Sequence, residues 1–286
     1  MRDREADGLL LVDKPVGITS HAVAERARKI IGTRRIGHAG TLDPFATGLL
    51  ILLVGRATRL VSFLDNEPKI YRATIRFGTR TTTDDPEGEV LEQAPAPPQD
   101  VVERAMAALS GHLLQRPPAF SAKRVAGVRA YAAARRGEPL HLEPVAVTVH
   151  SWEVLGRSGV DLDVIIRCNG GTYVRALARD LGEATGSAAH LAALRRLKSG
   201  RFDVADALSM DTLANGTFQL LPPTSAVAHL PRQLLDDLDA RRVGHGQNVS
   251  AREPGDLAAL YHRDELLAVA MRDGETWRPK VVMRDA

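Results

Sequence analysis

The sequence predicts a protein of mixed helices and strands that ends in a small β-rich module. Three observations predict it. The segment Tyr71-Arg72-Ala73-Thr74-Ile75-Arg76-Phe77 alternates apolar and polar residues with period two, as a strand with one buried face does. Residues 20–31 carry Val23, Ala27, Ile30 and Ile31 on one helical face. Prolines cluster from Leu221-Pro222-Pro223-Thr224 to Pro231, and three short strand-like pieces divided by turns follow. The expected division is a large domain over 1–230 and a small module over 231–286.

Taking the chain in order, Leu9-Leu10-Leu11-Val12 reads as a short buried strand, and Asp13 to Ser20 turns the chain on Pro15 and Gly17. Ser20 is a suitable N-cap for a helix of roughly 11 residues that ends at Gly32. The six apolar residues Leu49 to Val54 form a buried core element. Arg80 to Gly88 reads as a polar loop in which Asp84 and Asp85 cap a turn, since no third ligand sits at metal spacing. After the extended Ala94–Pro98 stretch, Asp100 and Glu103 match a capping box for a helix that turns Val102, Met106 and Leu109 inward. Val145–Val149 and Leu162–Cys168 read as strands. Thr172 can cap a helix with the stripe Val174, Leu177, Ala178 and Leu181, and a second helix is expected from Ser187 to about Leu197.

The totals exclude several function classes. Only 38 Lys and Arg stand against 35 Asp and Glu, so net charge alone does not argue for nucleic acid and the distribution must. From Gln115 to Gly137 there are six basic residues, no acidic one, and two interleaved aromatics, Phe120 and Tyr131. That is either a solvated basic loop or a single-strand RNA surface. The single cysteine, Cys168, excludes an intrachain disulfide framework and a Cys-rich metal site. Leu9 to Val12 is too short for a signal peptide core and no stretch reaches membrane-span length, so a cytoplasmic protein is expected.

The stretch from Arg35 to Gly48 is the candidate site. It holds three glycines, His38 and Asp43, and it runs directly into the apolar segment. Pro44 pushes the Asp43 backbone away from helix, which holds the carboxylate in one place. By residue types alone this is either a glycine-rich turn with an Asp-Pro corner or a site loop. Arg175, at the positive end of a predicted helix, is mildly unfavourable there and so points to a nearby anion, a carboxylate or a phosphate.

Several stretches resemble, in order, the motifs of the TruB family of tRNA pseudouridine-55 synthases. They are Asp13–Ser20, Gly37–Gly48, Tyr71–Ala73 with Arg80–Asp84, Gln115–Ala122, Gly171–Gly182 and His190–Arg196, which together span most of residues 9–205. The resemblance implies the pseudouridine synthase fold, an α+β domain with a mostly antiparallel mixed sheet, followed by a PUA-like module. It implies isomerisation of uridine to pseudouridine in the tRNA T-loop by a monomer without guide RNA, obligate protein partner, metal or organic cofactor. Asp43 takes the place of the catalytic aspartate, Tyr71 of the tyrosine that stacks on the uracil, and Arg175 of the arginine that pairs with the aspartate. His38, Tyr173, Leu194, Lys14, Lys123 and Arg124 take substrate-binding places. One departure stands out: Ser121-Ala122 is followed by Lys123-Arg124 where the family commonly has a hydrophobic residue and then lysine. Two rivals share parts of this pattern, a guide-dependent synthase of the dyskerin type and a non-catalytic RNA-binding protein.

Overall fold

The structure, a computed structural model, describes residues 6–121, 123–125, 128–136, 138 and 140–283. Strand β1 (Gly8–Lys14) leads into helix α1 (Ser20–Ile31), then β2 (Ile36–Ala39) and β3 (Thr47–Val54). A 3-10 helix at Gly55–Phe63 is followed by β4 (Lys69–Phe77), β5 (Thr79–Thr81), β6 (Val90–Gln93) and α2 (Gln99–Ala108). Next come β7 (Gly111–Gln115), β8 (Arg124–Val125), β9 (Val128–Arg129), α3 (Ala130–Arg135), β10 (Val145–Ser158), β11 (Asp161–Cys168) and α4 (Val174–Ala184). The main sheet closes with β12 (Ala189–Ser199) and β13 (Phe202–Asp203), and α5 (Met210–Ala214) leads out of it. The last region holds β14 (Arg232–Leu235), α6 (Asp237–Gly244), β15 (Val249–Ser250), β16 (Leu257–His262), β17 (Glu265–Asp273) and β18 (Thr276–Val282).

Among the described residues the main sheet has the order β1-β3-β12-β4-β11-β10-β7, with β2 beside β3 and β13 beside β12. Every pairing in it is antiparallel except the short contact of β12 with β3. The α+β class with a mostly antiparallel mixed sheet is therefore what the chain adopts. Strand β3 has no alternation because both of its faces are covered. Leu50, Leu52 and Val54 pack with α1, while Leu49, Ile51 and Leu53 pack with Tyr261, Val269 and Met283 of the C-terminal region. That region forms its own five-stranded sheet, β14-β16-β17-β18-β15. Trp277 is fully buried there and donates its indole N–H to Gln233.

Several local expectations need correction. The segment expected as a helix from Ser187 to Leu197 is the central strand β12. Its Leu, Ala and Arg residues favour helix, but it pairs along β4 from Ala189 to Ser199, and that ladder outweighs a weak local preference. Thr19, not Ser20, caps α1 by accepting from the Ala22 amide. The capping box at α2 does not form, because Pro98 is the N-cap and Asp100 pairs with Arg104 instead. Thr172 does not cap α4, whose N-cap is Tyr173.

One glycine is obligatory for the sheet. Gly48 has φ of 98°, and a Cβ on it would lie 2.3 Å from the Arg196 carbonyl oxygen. The β3–β12 junction beside the site therefore excludes any side chain at this position.

Candidate active site

Asp43 sits on a loop between β2 and β3, and the residues on either side of it are clamped. Ser20 Oγ accepts from the Leu42 amide at 2.9 Å and donates to the Leu42 carbonyl at 3.1 Å. On the other side, Lys14 Nζ (3.2 Å) and the Gly17 amide (2.8 Å) both donate to the Pro44 carbonyl. The Asp13–Ser20 stretch is thus a brace for the Asp43 corner. Lys14, assigned above to the substrate, is fully buried and gives its three N–H groups to the carbonyls of Pro15, Ile18 and Pro44. Burial lowers its pKa to about 8, against the raising effect of Asp43. It holds backbone and does not reach the cavity wall.

Asp43 meets Arg175 across 132 positions of sequence. Arg175 Nε lies 3.0 Å from one carboxylate oxygen and Nη2 3.2 Å from the other, a two-pronged fork. The remaining donors go to the Thr83 carbonyl (2.9 Å), Asp85 (3.2 Å) and the Phe120 carbonyl (2.8 Å). This buried guanidinium therefore makes four hydrogen bonds from its two terminal nitrogens and an ion-pair contact from Nε, all to protein groups. Arg179, one turn further along α4, repeats the device with Asp84 at 3.1 Å, Asp180 at 2.7 Å and the Arg116 carbonyl at 2.8 Å.

Asp84 and Asp85 are the residues that the sequence left out of the site. They were expected to cap a turn, and Asp85 does accept from the Glu87 amide and from Thr83. Both are also buried, and each is gripped by one arginine of α4. The available signal was the coincidence of two adjacent acids with two arginines spaced i, i+4 on one helix.

A cavity of about 270 Å³ opens beside this network. Asp43, Tyr71, Tyr173, Leu194 and Arg175 line it, together with Lys69, Ser121 and Arg196, none of which was expected there. Tyr71 is buried on the face of β4 that also carries Ala73, Ile75 and Phe77. Burial pushes its phenol pKa up, partly offset by nearby Arg196, so it presents a neutral ring. Gln115 fixes Tyr173 by donating to its carbonyl and accepting from its amide. Arg196 is buried and donates to the carbonyls of Leu49 (2.7 Å) and Gly40 (2.8 Å), which ties β12 to the Asp43 loop. Arg195 and Arg196 thus lie within strand β12 and not at the end of the helix expected there.

Two further assigned residues lie away from the cavity wall. His38 is on β2, outside the cavity wall, and burial lowers its pKa. Lys123 reaches the Glu143 carbonyl at 3.4 Å and does not line the cavity. The Arg124 side chain lies outside the described residues.

Asp43 keeps 36% of its side chain exposed toward the cavity, while its partner Arg175 keeps 6%. Burial raises the Asp43 pKa, Arg175 and Lys14 oppose that, and the Asp85 charge adds to it. A carboxylate that must be ionised to act then loses activity as pH falls through this raised value, earlier than an ordinary carboxylate. Asp85→Asn removes the like charge and leaves Arg175 more fully to Asp43. The acid limb of the rate profile is expected to move to lower pH, and an unmoved limb would show the two carboxylates to be uncoupled.

Solved structures similar in fold to nearly the whole of this chain are found. An archaeal box H/ACA Nop10–Cbf5 complex matches with a TM-score of 0.74 at 25% identity, covering 97% of this chain and 86% of that one. A Cbf5–Nop10–Gar1 complex matches with a TM-score of 0.72 at 27% identity, covering 97% and 85%. Fold and site together define the pseudouridine synthase class. The sequence comparisons narrow this. Residues 28–174 match the TruB family pseudouridylate synthase N-terminal domain, and residues 175–238 match the tRNA pseudouridylate synthase B C-terminal domain. A protein of Thermobifida fusca named tRNA pseudouridine synthase B is 45% identical, with 97% of this chain and 98% of that one covered. Its namesake in Nocardia farcinica is 46% identical, with 97% and 93% covered. The chain belongs to the TruB family of pseudouridylate synthases.

Proposed function

We propose that this chain converts uridine to pseudouridine at position 55 in the T-loop of tRNA, acting alone as a cytoplasmic monomer. The observation that carries the reading is the meeting of Asp43, Tyr71 and Arg175 at one cavity, from a loop, a strand and a helix remote in sequence. The reaction breaks the N1–C1′ bond, turns the base, and joins C5 to C1′. It is redox-neutral and needs a nucleophile or base beside the sugar, a role that suits an ionised carboxylate. Arg175 favours the ionised form of Asp43 and orients it. A stacked base is out of reach in this recess, so the uridine must be extruded, and stacking on Tyr71 offsets about 1–3 kcal/mol of that cost.

Tyr173 and Leu194 would form the apolar walls around the base. Exposed Arg26, Lys29, Arg34 and Arg116 supply basic surface for the T-arm and elbow backbone. We further propose that residues 1–230 form the catalytic domain and 231–286 a PUA-like appendage. Near-full-length likeness to proteins named tRNA pseudouridine synthase B supports the reading over a guide-dependent one. The test is the purified full chain with unmodified tRNA and no guide RNA. Stoichiometric pseudouridine at the T-loop site is expected. Conversion only with a guide RNA and partner proteins would favour the dyskerin-type reading, and binding without conversion would favour an RNA-binding protein.

A further inference from the structure

Among the described residues four basic side chains surround the Asp43 site, and three of them hydrogen-bond to protein groups. Lys14 has three carbonyls, Arg175 has five acceptor contacts, and Arg196 has the Leu49 and Gly40 carbonyls with the Tyr71 hydroxyl close by. The fourth is Lys69. It lines the same cavity and shares a face of β4 with Tyr71, two residues on. Among the described residues it makes no side-chain hydrogen bond and no ion pair within 4.0 Å, and Glu67 acts on it only from further away.

Its surroundings are shaped for an open Nζ. A Cβ on Gly40 would sit 3.0 Å from Arg196 Nη1 and 3.6 Å from Lys69 Nζ, and one on Gly170 2.3 Å from Glu67 Oε1 and 3.5 Å from Lys69 Nζ, so the two glycines leave room for these charged groups beside the amine. Arg196 lies close enough to disfavour its charge, and burial, the larger effect, does so too. Two neighbouring cations in a half-buried recess are costly while the recess is empty and become favourable once an anion enters.

We propose that Lys69 is a further substrate-contacting residue of this site, donating from Nζ to a negatively charged oxygen of the extruded uridine. The inference rests on the pseudouridine synthase reading above. Two oxygens have the right chemistry. A phosphate oxygen of the extruded nucleotide is charged throughout. A uracil carbonyl oxygen gains charge only as the N1–C1′ bond breaks and its electron pair moves onto the ring. In both cases Lys69 keeps its proton and contributes a charge-assisted hydrogen bond.

Lys69→Met and Lys69→Arg, made in the full chain, separate these cases. A T-arm hairpin RNA serves as ligand for the dissociation constant and its salt dependence, and for the single-turnover rate at saturating RNA. Melting temperature is read alongside. If the partner is phosphate, Lys69→Met weakens binding about tenfold or more. The slope of log K against log salt then falls by about 0.7–0.9, with the rate at saturation kept. If the partner is the uracil, the rate falls about tenfold or more and binding stays. Lys69→Arg restores most of either loss. Binding and rate both within about twofold of wild type in Lys69→Met would overturn the proposal. So would a loss that tracks a lowered melting temperature and is not rescued by Lys69→Arg. Failure of the wild-type chain to form pseudouridine would sink the functional reading instead, and the binding and salt measurements would still test Lys69 as a phosphate contact.

Discussion

Asp43→Asn is expected to abolish pseudouridine formation while leaving tRNA binding close to that of the native chain. Asparagine is nearly isosteric, so the brace from Ser20, Lys14 and Gly17, which holds only backbone groups of Leu42 and Pro44, stays in place. The amide keeps one acceptor for the Arg175 fork, but it is neutral and neither attacks carbon nor accepts a proton at useful rates. A fall of at least about 10⁴-fold, roughly 5.5 kcal/mol of barrier, is expected in single-turnover rate. Binding depends on phosphate contacts spread over a wider surface and is expected to stay within about threefold. Normal modification of the T-loop by this variant would remove Asp43 from the chemistry.

Arg175→Met is the second large effect, and it acts on stability as well as rate. The substitution keeps much of the side-chain length and removes four hydrogen bonds and the Asp43 and Asp85 ion pairs at once. Asp85 is buried and Asp43 partly so, and both lose their cation. Leaving buried carboxylates without a partner costs about 3–5 kcal/mol, visible as a melting temperature lowered by several degrees. Without Arg175 the Asp43 pKa rises further, because the largest opposing influence on it is gone. The fraction of active carboxylate at neutral pH falls, and raising the pH should recover part of the rate. Binding of tRNA should fall less than turnover, since Arg175 is buried and its hydrogen bonds and ion pairs go to protein groups. Equal losses of binding and turnover, with no recovery at higher pH, would contradict this role.

The elements legible in the sequence share one property, a burial pattern that matches the period of the backbone. β4 shows its alternation because only one face is apolar, and the stripe of α4 shows because Val174, Leu177, Ala178 and Leu181 all face the core. β12 lacks that mark. Residues such as Leu191, Leu194 and Arg196 are buried around two bulges in its pairing with β4, which break the alternation. Its residue types then read as helix. The same misreading hid Arg196, whose carbonyl partners on Leu49 and Gly40 lie about 150 positions away in sequence.

The order of the motifs and the types of Asp43, Tyr71 and Arg175 were determined by the sequence alone, because nucleophile, stacking ring and cation are properties of single side chains. What they meet was decided by the tertiary structure. Asp84 and Asp85 look like turn residues until α4 brings two arginines against them. Lys14 looks like a substrate contact until three carbonyls close around it. Lys69 has no distinguishing feature in sequence and gains one only beside neighbours that hydrogen-bond to protein groups while it does not. The physical reason is common to all three. A charged side chain is a brace, a partner or a ligand contact according to which acceptors surround it, and those acceptors are mostly backbone groups placed by folding.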